Sequence, residues 1–291
     1  MTQLIGQIVT SYGRLFIVED AQGQLFEAST RKKRVDFVCG DKVLYTPINE
    51  QQVVIESNLP RTSLLYRQDH FKTKMFAANV TQVAVVLAAV PAPNEELLQR
   101  ALVAAEAAKI TPLIVFNKID LPESGLWLEK LESYQRLGYL LLKTSALEND
   151  ISVLLEALEG QCSILLGQSG MGKSTITNAL LGEDRARTGI LSEALHSGKH
   201  TTTQSALYHL NANSQLIDSP GLQEFGLKHI LPTDLIHYFP EMRPLIGQCR
   251  FHNCTHRQEP GCALKQAVAS GSITPERLAF FQKLMDELLR K

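Results

Sequence analysis

Apolar and polar residues alternate in short runs near the start of the chain, which is the pattern of half-buried β-strands. Five such runs stand out, at residues 4–10, 15–19, 24–28, 42–46 and 51–57. Turn signals at Gly13, Gly23 and Gly40-Asp41 separate them. Five short strands predict a small closed barrel, and the usual five-stranded barrel is the OB-fold. We therefore expect an N-terminal OB-fold domain over residues 1–59.

From Val80 onward the pattern changes to continuous apolar runs that alternate with amphipathic segments. The apolar runs predict buried parallel strands at residues 80–88, 112–116, 139–142, 163–166 and 215–217. Helical spacing lies between them, in a segment that Asn94 can cap and in residues 126–137 and 175–181. This alternation predicts a doubly wound α/β domain over residues 60–224, with its ligand at the carboxyl ends of the strands.

The last part of the chain, residues 225–291, predicts a smaller, mainly helical domain. Its clearest element is a helix over residues 275–290, with Thr274 as the cap and Pro275 in the first position. An apolar stripe runs along this helix through Leu278, Phe281, Met285 and Leu288. We expect the stripe to pack on the preceding segment and four basic side chains to point outward, those of Arg277, Lys283, Arg290 and Lys291.

Composition narrows the class of protein. The chain has 291 residues, of which 44% are hydrophobic and 20% charged, as in a globular protein of two or three domains. A net charge of −1 means that any nucleic-acid surface must be local. No apolar run approaches a membrane span, and the N-terminus does not resemble a signal peptide. Five cysteines, three of them clustered late, favour a reducing compartment with a metal site, so we expect a cytoplasmic protein.

A glycine-rich stretch after a predicted strand has the form G-x-x-x-x-G-K-[ST]. It comprises Gly167, Gln168, Ser169, Gly170, Met171, Gly172, Lys173 and Ser174, and Thr175 follows. Glycines let backbone N–H groups turn toward a polyphosphate, and the N-terminus of the next helix adds partial positive charge. Lys173 would contact the outer phosphates, and the Ser174 hydroxyl would ligate Mg²⁺. The stretch predicts a nucleoside triphosphate site.

A second motif, Asn117-Lys118-Ile119-Asp120, follows the strand predicted at residues 112–116. The Asp120 carboxylate can accept two parallel hydrogen bonds from the N1–H and the exocyclic amine of guanine, a pair that adenine does not offer. Asn117 and the stem of Lys118 would support the ring. The pair Ser145-Ala146, after the next strand, would add a backbone N–H toward guanine O6. Together these residues predict recognition of guanine.

Two further segments suit the phosphate end of the same nucleotide. In Asp218-Ser219-Pro220-Gly221, Asp218 would hold Mg²⁺ through water and the Gly221 amide would sense the γ-phosphate. The run Thr201-Thr202-Thr203 lies where a GTPase keeps the threonine that completes Mg²⁺ coordination. Any of the three threonines can supply this ligand, and Thr202 is the catalytic candidate together with Lys173.

The order of these motifs is unusual, because the guanine-recognition motifs precede the phosphate loop instead of following it. The domain is therefore predicted to be circularly permuted, which is permissible because all the motifs are loops on one rigid sheet. Leu222 stands where many GTPases place the glutamine that orients the attacking water. His200 is our candidate for that role, and a solvent-exposed loop histidine is the alternative interpretation.

A cluster of metal-ligating residues lies late in the chain, at Cys249, Cys254, His256 and Cys262. Three thiolates and one imidazole can close a tetrahedral structural Zn²⁺ site. His252 is an alternative fourth ligand. The other two cysteines, Cys39 and Cys162, stand alone and are expected to be small buried apolar groups.

Two basic segments are candidates for contact with RNA. Arg31-Lys32-Lys33-Arg34 forms a cationic loop in the predicted barrel, where RNA contact and a solvated turn are the two interpretations. Residues 62–79 show no clear periodicity and mix basic with aromatic side chains. They are either a nucleic-acid-facing loop or a packed connection.

The whole constellation resembles the ribosome small-subunit-dependent GTPase A family. The motifs that carry the resemblance are NKID, TSA, GQSGMGKST, GKHTTT, IDSPG and C-x4-C-x-H-x5-C, in that order behind a small barrel. The resemblance implies an OB-fold, a circularly permuted GTPase and a zinc domain, in a monomeric cytoplasmic factor. It also implies action late in small-subunit maturation, binding to ribosomal RNA, stimulation of GTP hydrolysis by that subunit, and His200 in place of the missing glutamine. Thr144 is a mild departure, since a hydrophobic residue is also common there.

Two other functions are open at this point. The chain could be a nucleic-acid-binding protein whose nucleotide site is only a sensor, but Lys173, Ser174 and Asp218 favour turnover. It could also be a P-loop ATPase or kinase, which Asp120 argues against.

Overall fold

The computed structural model of the protein describes residues 3–12, 15–31, 36–68, 73–148, 150–182, 205–219 and 226–290. Several residues named above lie outside these ranges, namely Gly13, Lys32, Lys33, Arg34, His200, Thr201, Thr202, Thr203, Pro220, Gly221, Leu222 and Lys291. Among the described residues, the helices include none that is both long and apolar enough to cross a membrane.

The N-terminal part is a closed barrel of five strands: β1 (Leu4–Tyr12), β2 (Leu15–Asp20), β3 (Leu25–Thr30), β4 (Lys42–Pro47) and β5 (Gln52–Asn58). They pair in the order β1-β2-β3-β5-β4, and β4 pairs back onto β1, which closes the barrel. Alternate residues of each strand fill the interior, among them Ile8, Phe16, Val18, Phe26 and Tyr45. The predicted barrel is confirmed, because alternation is the pattern that a sheet with one buried face requires.

A hairpin follows the barrel, formed by β6 (Leu64–Gln68) and β7 (Thr73–Ala78). The sequence pattern did not predict it, since a bulge between Leu65 and Tyr66 interrupts the alternation. The base of the hairpin packs on the barrel, where the Ala78 N–H donates to the Cys39 carbonyl at 2.9 Å. At least at its base, therefore, this segment is a packed connection.

The central part is a six-stranded sheet built from β8 (Gln82–Leu87), β9 (Thr111–Phe116), β10 (Leu140–Lys143), β11 (Cys162–Leu166), β12 (Ala206–His209) and β13 (Gln215–Asp218). The order is β10-β9-β8-β11-β13-β12. All pairs are parallel except β12–β13. The helices are α1 (Glu95–Ala107), α2 (Ser124–Arg136), α3 (Ser152–Ala157) and α4 (Lys173–Leu181). The doubly wound prediction is confirmed, and β12 is an element that the sequence pattern missed.

The central strand β8 is buried on both faces. Val83 and Val85 belong to the layer that includes Leu98 of α1, while Ala84 and Val86 face the layer that includes Ile176 of α4. This two-sided burial explains why β8 appears in the sequence as a continuous apolar run. The predicted cap of α1 is also present, because the Asn94 side chain accepts a hydrogen bond from the Leu97 N–H.

The barrel and the central sheet form one continuous eleven-stranded sheet. The joint is the antiparallel pairing of β1 with β12, where Thr10 lies opposite Ala206. One ion pair reinforces this joint, with 2.6 Å between His209 Nε2 and Glu19 Oε2. Both predicted isolated cysteines are buried, as expected, with Cys39 at 1% and Cys162 at 9% exposure.

The C-terminal part contains 3-10 helices at Pro232–Tyr238 and Arg243–Leu245, then α5 (Ala263–Ala269) and α6 (Pro275–Leu289). The predicted cap of α6 is confirmed, because the Thr274 side chain accepts from the Arg277 N–H. The predicted stripe is turned inward, with Phe281 and Leu288 fully buried and Leu278 and Met285 half-buried.

Arg277 does not point outward, so that expectation was wrong. Its side chain is only 5% exposed and forms an ion pair with Glu241, with 2.7 Å between Nε and Oε1. Its guanidinium also lies over the Phe239 ring, 4.6 Å from the centroid. Lys283 is exposed but paired with Glu96 at 2.6 Å. The stripe periodicity did not reveal these partners because they lie on distant segments of the chain.

The His209–Glu19 pair predicts a pH-dependent barrel joint. The hydrogen bond to Glu19 raises the pKa of His209, although burial opposes the shift. The pair therefore stabilises the fold fully below the ordinary histidine pKa of about 6.5, and this contribution is lost as pH rises through the raised pKa. Because the imidazole is 45% exposed, we expect the pair to contribute less than about 1 kcal/mol to the free energy of unfolding.

The measurement is the free energy of unfolding of the wild type and of His209→Gln at pH 6 and pH 9. The difference between the two proteins should be larger at pH 6. His237→Gln, which changes an exposed histidine of a 3-10 helix, is the control and should show no such trend. A His209 difference that stays constant with pH would contradict the assignment.

Candidate functional site

The predicted nucleotide-binding motifs meet at one edge of the central sheet. Asn117 follows β9, Thr144 follows β10, Gly167 follows β11, and Asp218 ends β13. These four strands are mutually parallel within the sheet, so their carboxyl ends lie side by side. The position is the one where open α/β sheets bind ligands.

The glycine-rich loop between β11 and α4 adopts a backbone that favours glycine. Gly170 and Gly172 have φ values of 85° and 93°. A Cβ on Gly172 would collide with Asn117 Nδ2, and a Cβ on Gly167 would collide with the Val86 carbonyl oxygen. At Gly167 and Gly172 the loop therefore passes so close to neighbouring residues that a side chain has no room. Helix α4 begins directly after the loop, at Lys173. A helix N-terminus following such a loop is suited to bind an anion.

Lys173 and Asp218 place opposite charges beside this loop. The Lys173 ammonium donates to the carbonyl oxygens of Gly167 at 2.6 Å and Gln168 at 2.9 Å. Burial lowers the pKa of Lys173, and the nearby Asp218 carboxylate works against that shift. Burial likewise raises the pKa of Asp218, which Lys173 in turn lowers. The strands that lead to the two residues are neighbours, because β11 and β13 pair in parallel with Leu165 opposite Asp218.

Asn117 connects the phosphate loop with the loop after β10. Its Nδ2 donates to the Met171 carbonyl at 3.0 Å, and its Oδ1 accepts from the Ala146 N–H at 3.1 Å and the Thr144 hydroxyl at 3.3 Å. The residue is 2% exposed, so these bonds are shielded from water. The motif alone predicts that Asn117 supports the guanine ring. The role of Thr144 as its partner was missed, because the motif pattern does not specify it.

Lys118 and Asp120 complete the second motif. The Lys118 ammonium donates to the Gly170 carbonyl at 2.7 Å and to the Val90 carbonyl at 2.9 Å. Asp120 is exposed, and its Oδ1 accepts a hydrogen bond from the Ser145 hydroxyl at 2.6 Å. The serine thereby orients a carboxylate that still has an oxygen available for a ligand.

The remaining predicted residues of this site fall into two groups. Ser169, Ser174 and Thr175 are exposed in the loop and the first turn of α4, and Ile119 is half-buried between Lys118 and Asp120. The second group, His200, Thr201, Thr202, Thr203 and Gly221, lies outside the described residues.

The predicted metal ligands converge in the C-terminal part. The ligand atoms of Cys249, Cys254, His256 and Cys262 all lie within 4.8 Å of one another. His256 Nδ1 is 3.6 Å from Cys249 Sγ and 3.5 Å from Cys262 Sγ. His252, the alternative fourth ligand, is not part of this cluster.

The donor set fits zinc. Three sulfurs and one imidazole nitrogen match a closed structural Zn²⁺ site. Burial lowers the pKa of His256, which favours the neutral imidazole that a metal needs. The loop is held from outside, because the Gln282 side chain donates to the His256 carbonyl at 2.6 Å and the Ala263 N–H donates to Cys249 Sγ at 3.3 Å.

A glycine-rich phosphate loop, an adjoining lysine and aspartate, and a guanine-type motif bonded to that loop define a P-loop GTPase with circularly permuted connectivity. The comparisons with known proteins agree. The sequence model of the RsgA GTPase family matches residues 58–228, which is more than half of the chain. The chain belongs to this family.

Relatives and solved structures cover nearly the whole chain. It is 64% identical over 283 residues to the "Small ribosomal subunit biogenesis GTPase RsgA" of Neisseria gonorrhoeae (strain NCCP11945), covering 97% of this chain and 92% of that protein. It is 46% identical to the protein of the same name from Nitrosomonas europaea, covering 99% and 92%. The fold is similar to YjeQ from Thermotoga maritima, with 31% identity, a TM-score of 0.77 and full coverage of both chains. It is also similar to YloQ, "a circularly permuted GTPase", with 26% identity, a TM-score of 0.72 and coverage of 100% and 96%.

The close approach at Gly172 generates a prediction. In Gly172→Ala, the new methyl group must displace Asn117 Nδ2, and the backbone is strained at φ 93°. We expect the affinity for guanine nucleotides to fall at least about tenfold, because the phosphate loop loses its bond to Asn117. Titration with a fluorescent GDP analogue measures it.

Gly138→Ala is a matched control for this variant. Gly138 has the same φ of 93°, but a Cβ there meets nothing within 4 Å. Both variants carry the same backbone strain, and only Gly172→Ala should lose nucleotide affinity. Equal affinities in the two variants would show that the contact with Asn117 is unimportant.

Proposed function

We propose that this chain hydrolyses GTP as a factor in the biogenesis of the small ribosomal subunit, acting in its late maturation. The observation that carries the proposal is the Asn117 side chain, which bonds the phosphate loop at Met171 and the loop at Ala146. This contact makes base recognition and phosphate binding parts of one site. The names of the relatives supply the ribosomal context.

Guanine selection falls to the edge formed by Asp120 and Ser145. The Asp120 carboxylate would accept from guanine N1–H and the exocyclic amine, with its geometry fixed by the Ser145 hydroxyl. The Ala146 N–H would exchange its bond to Asn117 Oδ1 for one to guanine O6. The stem of Lys118, whose ammonium is held by two carbonyls, would line the ring. Adenine presents the wrong donors and acceptors to this edge.

The phosphates would lie in the loop from Gly167 to Ser174, on its backbone N–H groups and on the N-terminus of α4. Lys173 is poised to exchange its carbonyl partners for phosphate oxygens. The ligands assigned to magnesium are the Ser174 hydroxyl, Asp218 through water, and one of the threonines 201–203. Magnesium, when bound with GTP, neutralises charge that develops on the phosphates. Lys173 supplies a further positive charge from the protein side.

Hydrolysis requires an oriented water molecule. We assign this role to His200, with Thr202 and the Gly221 amide completing the loops that contact the γ-phosphate. Because Leu222 replaces the usual glutamine, basal hydrolysis should be slow and should depend on the small subunit for acceleration.

The N-terminal and C-terminal parts of the chain would bind the small ribosomal subunit. We propose an RNA-binding OB-fold domain over residues 1–59, the GTPase domain over residues 60–224 and a zinc-binding domain over residues 225–291. The loop at residues 31–34 would contact ribosomal RNA, although Arg31 is also within 3.0 Å of Glu56. One structural zinc per chain would hold the C-terminal loop. The protein would act as a monomer in the cytoplasm, where ribosomes are assembled.

Hydrolysis of GTP and of ATP, each with and without purified small ribosomal subunits, tests the proposal. We expect hydrolysis of GTP only, with large stimulation by the subunits. Equal use of ATP would remove the guanine assignment, and GTP hydrolysis unaffected by subunits would remove the ribosomal one.

Asp120→Asn refines the same test. An amide reverses one donor and acceptor relation, so preference should move from guanine toward xanthine nucleotides. Competition of GDP and XDP for binding measures the change. Lys118 and Ser145 keep the loop in place in this variant, so an unchanged preference for guanine would refute the role of Asp120.

Removal of the metal tests the C-terminal assignment. Cys254→Ser should abolish stoichiometric zinc and lower the stability of the C-terminal part, because metal binding contributes directly to folding. Zinc content by elemental analysis and thermal unfolding provide the readouts, with the buried Cys162→Ser as the control outside the cluster. Stoichiometric zinc in Cys254→Ser would exclude this cysteine as a required ligand.

A further inference from the structure

The phosphate loop is tied to the first turn of helix α1. The Asn94 backbone N–H donates to Gln168 Oε1 in the phosphate loop, at 3.1 Å. The side chain of the same asparagine caps α1 by accepting from the Leu97 N–H at 3.2 Å. One residue thus fixes the end of the helix and also holds the side chain of a phosphate-loop residue.

Other contacts keep the same two segments together. The Ala88 N–H points to the sulfur of the buried Met171, at 3.1 Å. The Lys118 ammonium joins the Val90 and Gly170 carbonyls. The loop between β8 and α1 and the phosphate loop therefore move as one unit, with the Gln168 bond as its connection to the helix itself.

The outer face of α1 is held by the C-terminal helix α6. Arg100 of α1 forms an ion pair with Glu287, in which the single nitrogen Nη2 lies 2.6 and 2.7 Å from the two carboxylate oxygens. Lys283 pairs with Glu96 at 2.6 Å. Arg100 Nε also donates to Glu96 Oε1 at 3.0 Å, so this guanidinium is held between carboxylates of both helices. Glu96 is only two residues beyond Asn94, so the ion pairs between α6 and α1 lie close to the bond between Asn94 and the phosphate loop.

A buried contact extends the same interface. Arg277 Nη1 of α6 donates to Gln99 Oε1 of α1 at 3.3 Å, in a position shielded from water. The arginine is fixed in turn by Glu241 and the Phe239 ring. Sliding of α6 along α1 would leave Arg277 Nη1 buried without its acceptor on Gln99, which is costly. The two helices are therefore expected to shift together.

The far side of α6 contacts the loop of metal-ligating residues. The Gln282 side chain donates to the His256 carbonyl at 2.6 Å, and Arg257 pairs with Asp286 at 2.5 Å. An unbroken series of polar contacts thus runs from this loop through α6 and α1 to the phosphate loop.

We propose that helix α6 sets the position of the phosphate loop through α1, and that Gln168 is the positioning residue that makes the connection. The inference rests on the nucleotide site proposed above and adds a control of that site by the C-terminal part. A partner that displaces α6 would change nucleotide affinity without touching the nucleotide. The rigid element between the two ends is the thirteen-residue helix α1.

A double-mutant cycle on the full chain tests this inference. Gln168→Met removes the acceptor but keeps the side-chain length, and Glu287→Ala removes the ion pair with Arg100. Each should weaken binding of a fluorescent GDP analogue about three- to tenfold, as expected for one lost hydrogen-bonded contact. The double variant should bind the GDP analogue as tightly as the single variant with the larger loss of affinity, because both changes break the same connection.

Glu276→Ala is the matched control, since it makes the same charge change at an exposed position of α6. It should leave GDP affinity at the wild-type value. Fold changes that multiply in the double variant would overturn the inference, as would a Glu287→Ala variant that loses thermal stability but keeps wild-type affinity. If Glu287→Ala does not fold, Glu287→Gln replaces it in the same cycle. Failure of the wild type to bind GDP would instead refute the proposed function.

Discussion

The structure depends on the side-by-side ends of parallel strands. Asn117 is buried at this edge, where it accepts from Ala146 and donates to Met171. Its hydrogen bonds are worth more there than at the surface because water does not compete for them. This bridge joins the phosphate loop directly to the loop after β10. With it, they form one binding surface whose parts are fixed relative to one another.

The permuted order changes which segments the nucleotide site can influence. In this chain the loop after β13 leads directly into the C-terminal part. Directly beyond that loop, the Gly226 N–H donates to the Tyr66 carbonyl at 3.0 Å, and the His229 ring lies 4.3 Å from the Tyr66 ring. The hairpin of β6 and β7 therefore contacts the start of the C-terminal part. Because this hairpin also packs on the barrel at Cys39, it links the N-terminal part with the C-terminal part.

The C-terminal part is attached by polar contacts as well as by apolar packing. Phe239 and Phe281 pack edge-to-face at 5.3 Å within the shared core. Around them, ion pairs to α1 at Glu96 and Arg100 set the orientation of α6. Apolar packing supplies most of the driving force for such an interface, whereas directional ion pairs select one arrangement. An interface of this kind can transmit a displacement because it resists sliding.

Local patterns determined the elements and the chemical motifs. Strand alternation identified the barrel, two-sided apolar runs identified β8 and β9, and the motif order identified the permutation, since each depends on neighbours in sequence. The convergence of four cysteine and histidine ligands also followed from their short spacing. Tertiary structure alone decided the rest. Strand β12 has too few residues to show a periodic pattern, and the bulge interrupts the alternation of apolar residues in β6. Arg277 is buried because Glu241 and Phe239, from another segment of the chain, pack against it. The bonds of Asn117 and Gln168 likewise join loops far apart in sequence, and only the folded sheet brings their partners within hydrogen-bonding distance.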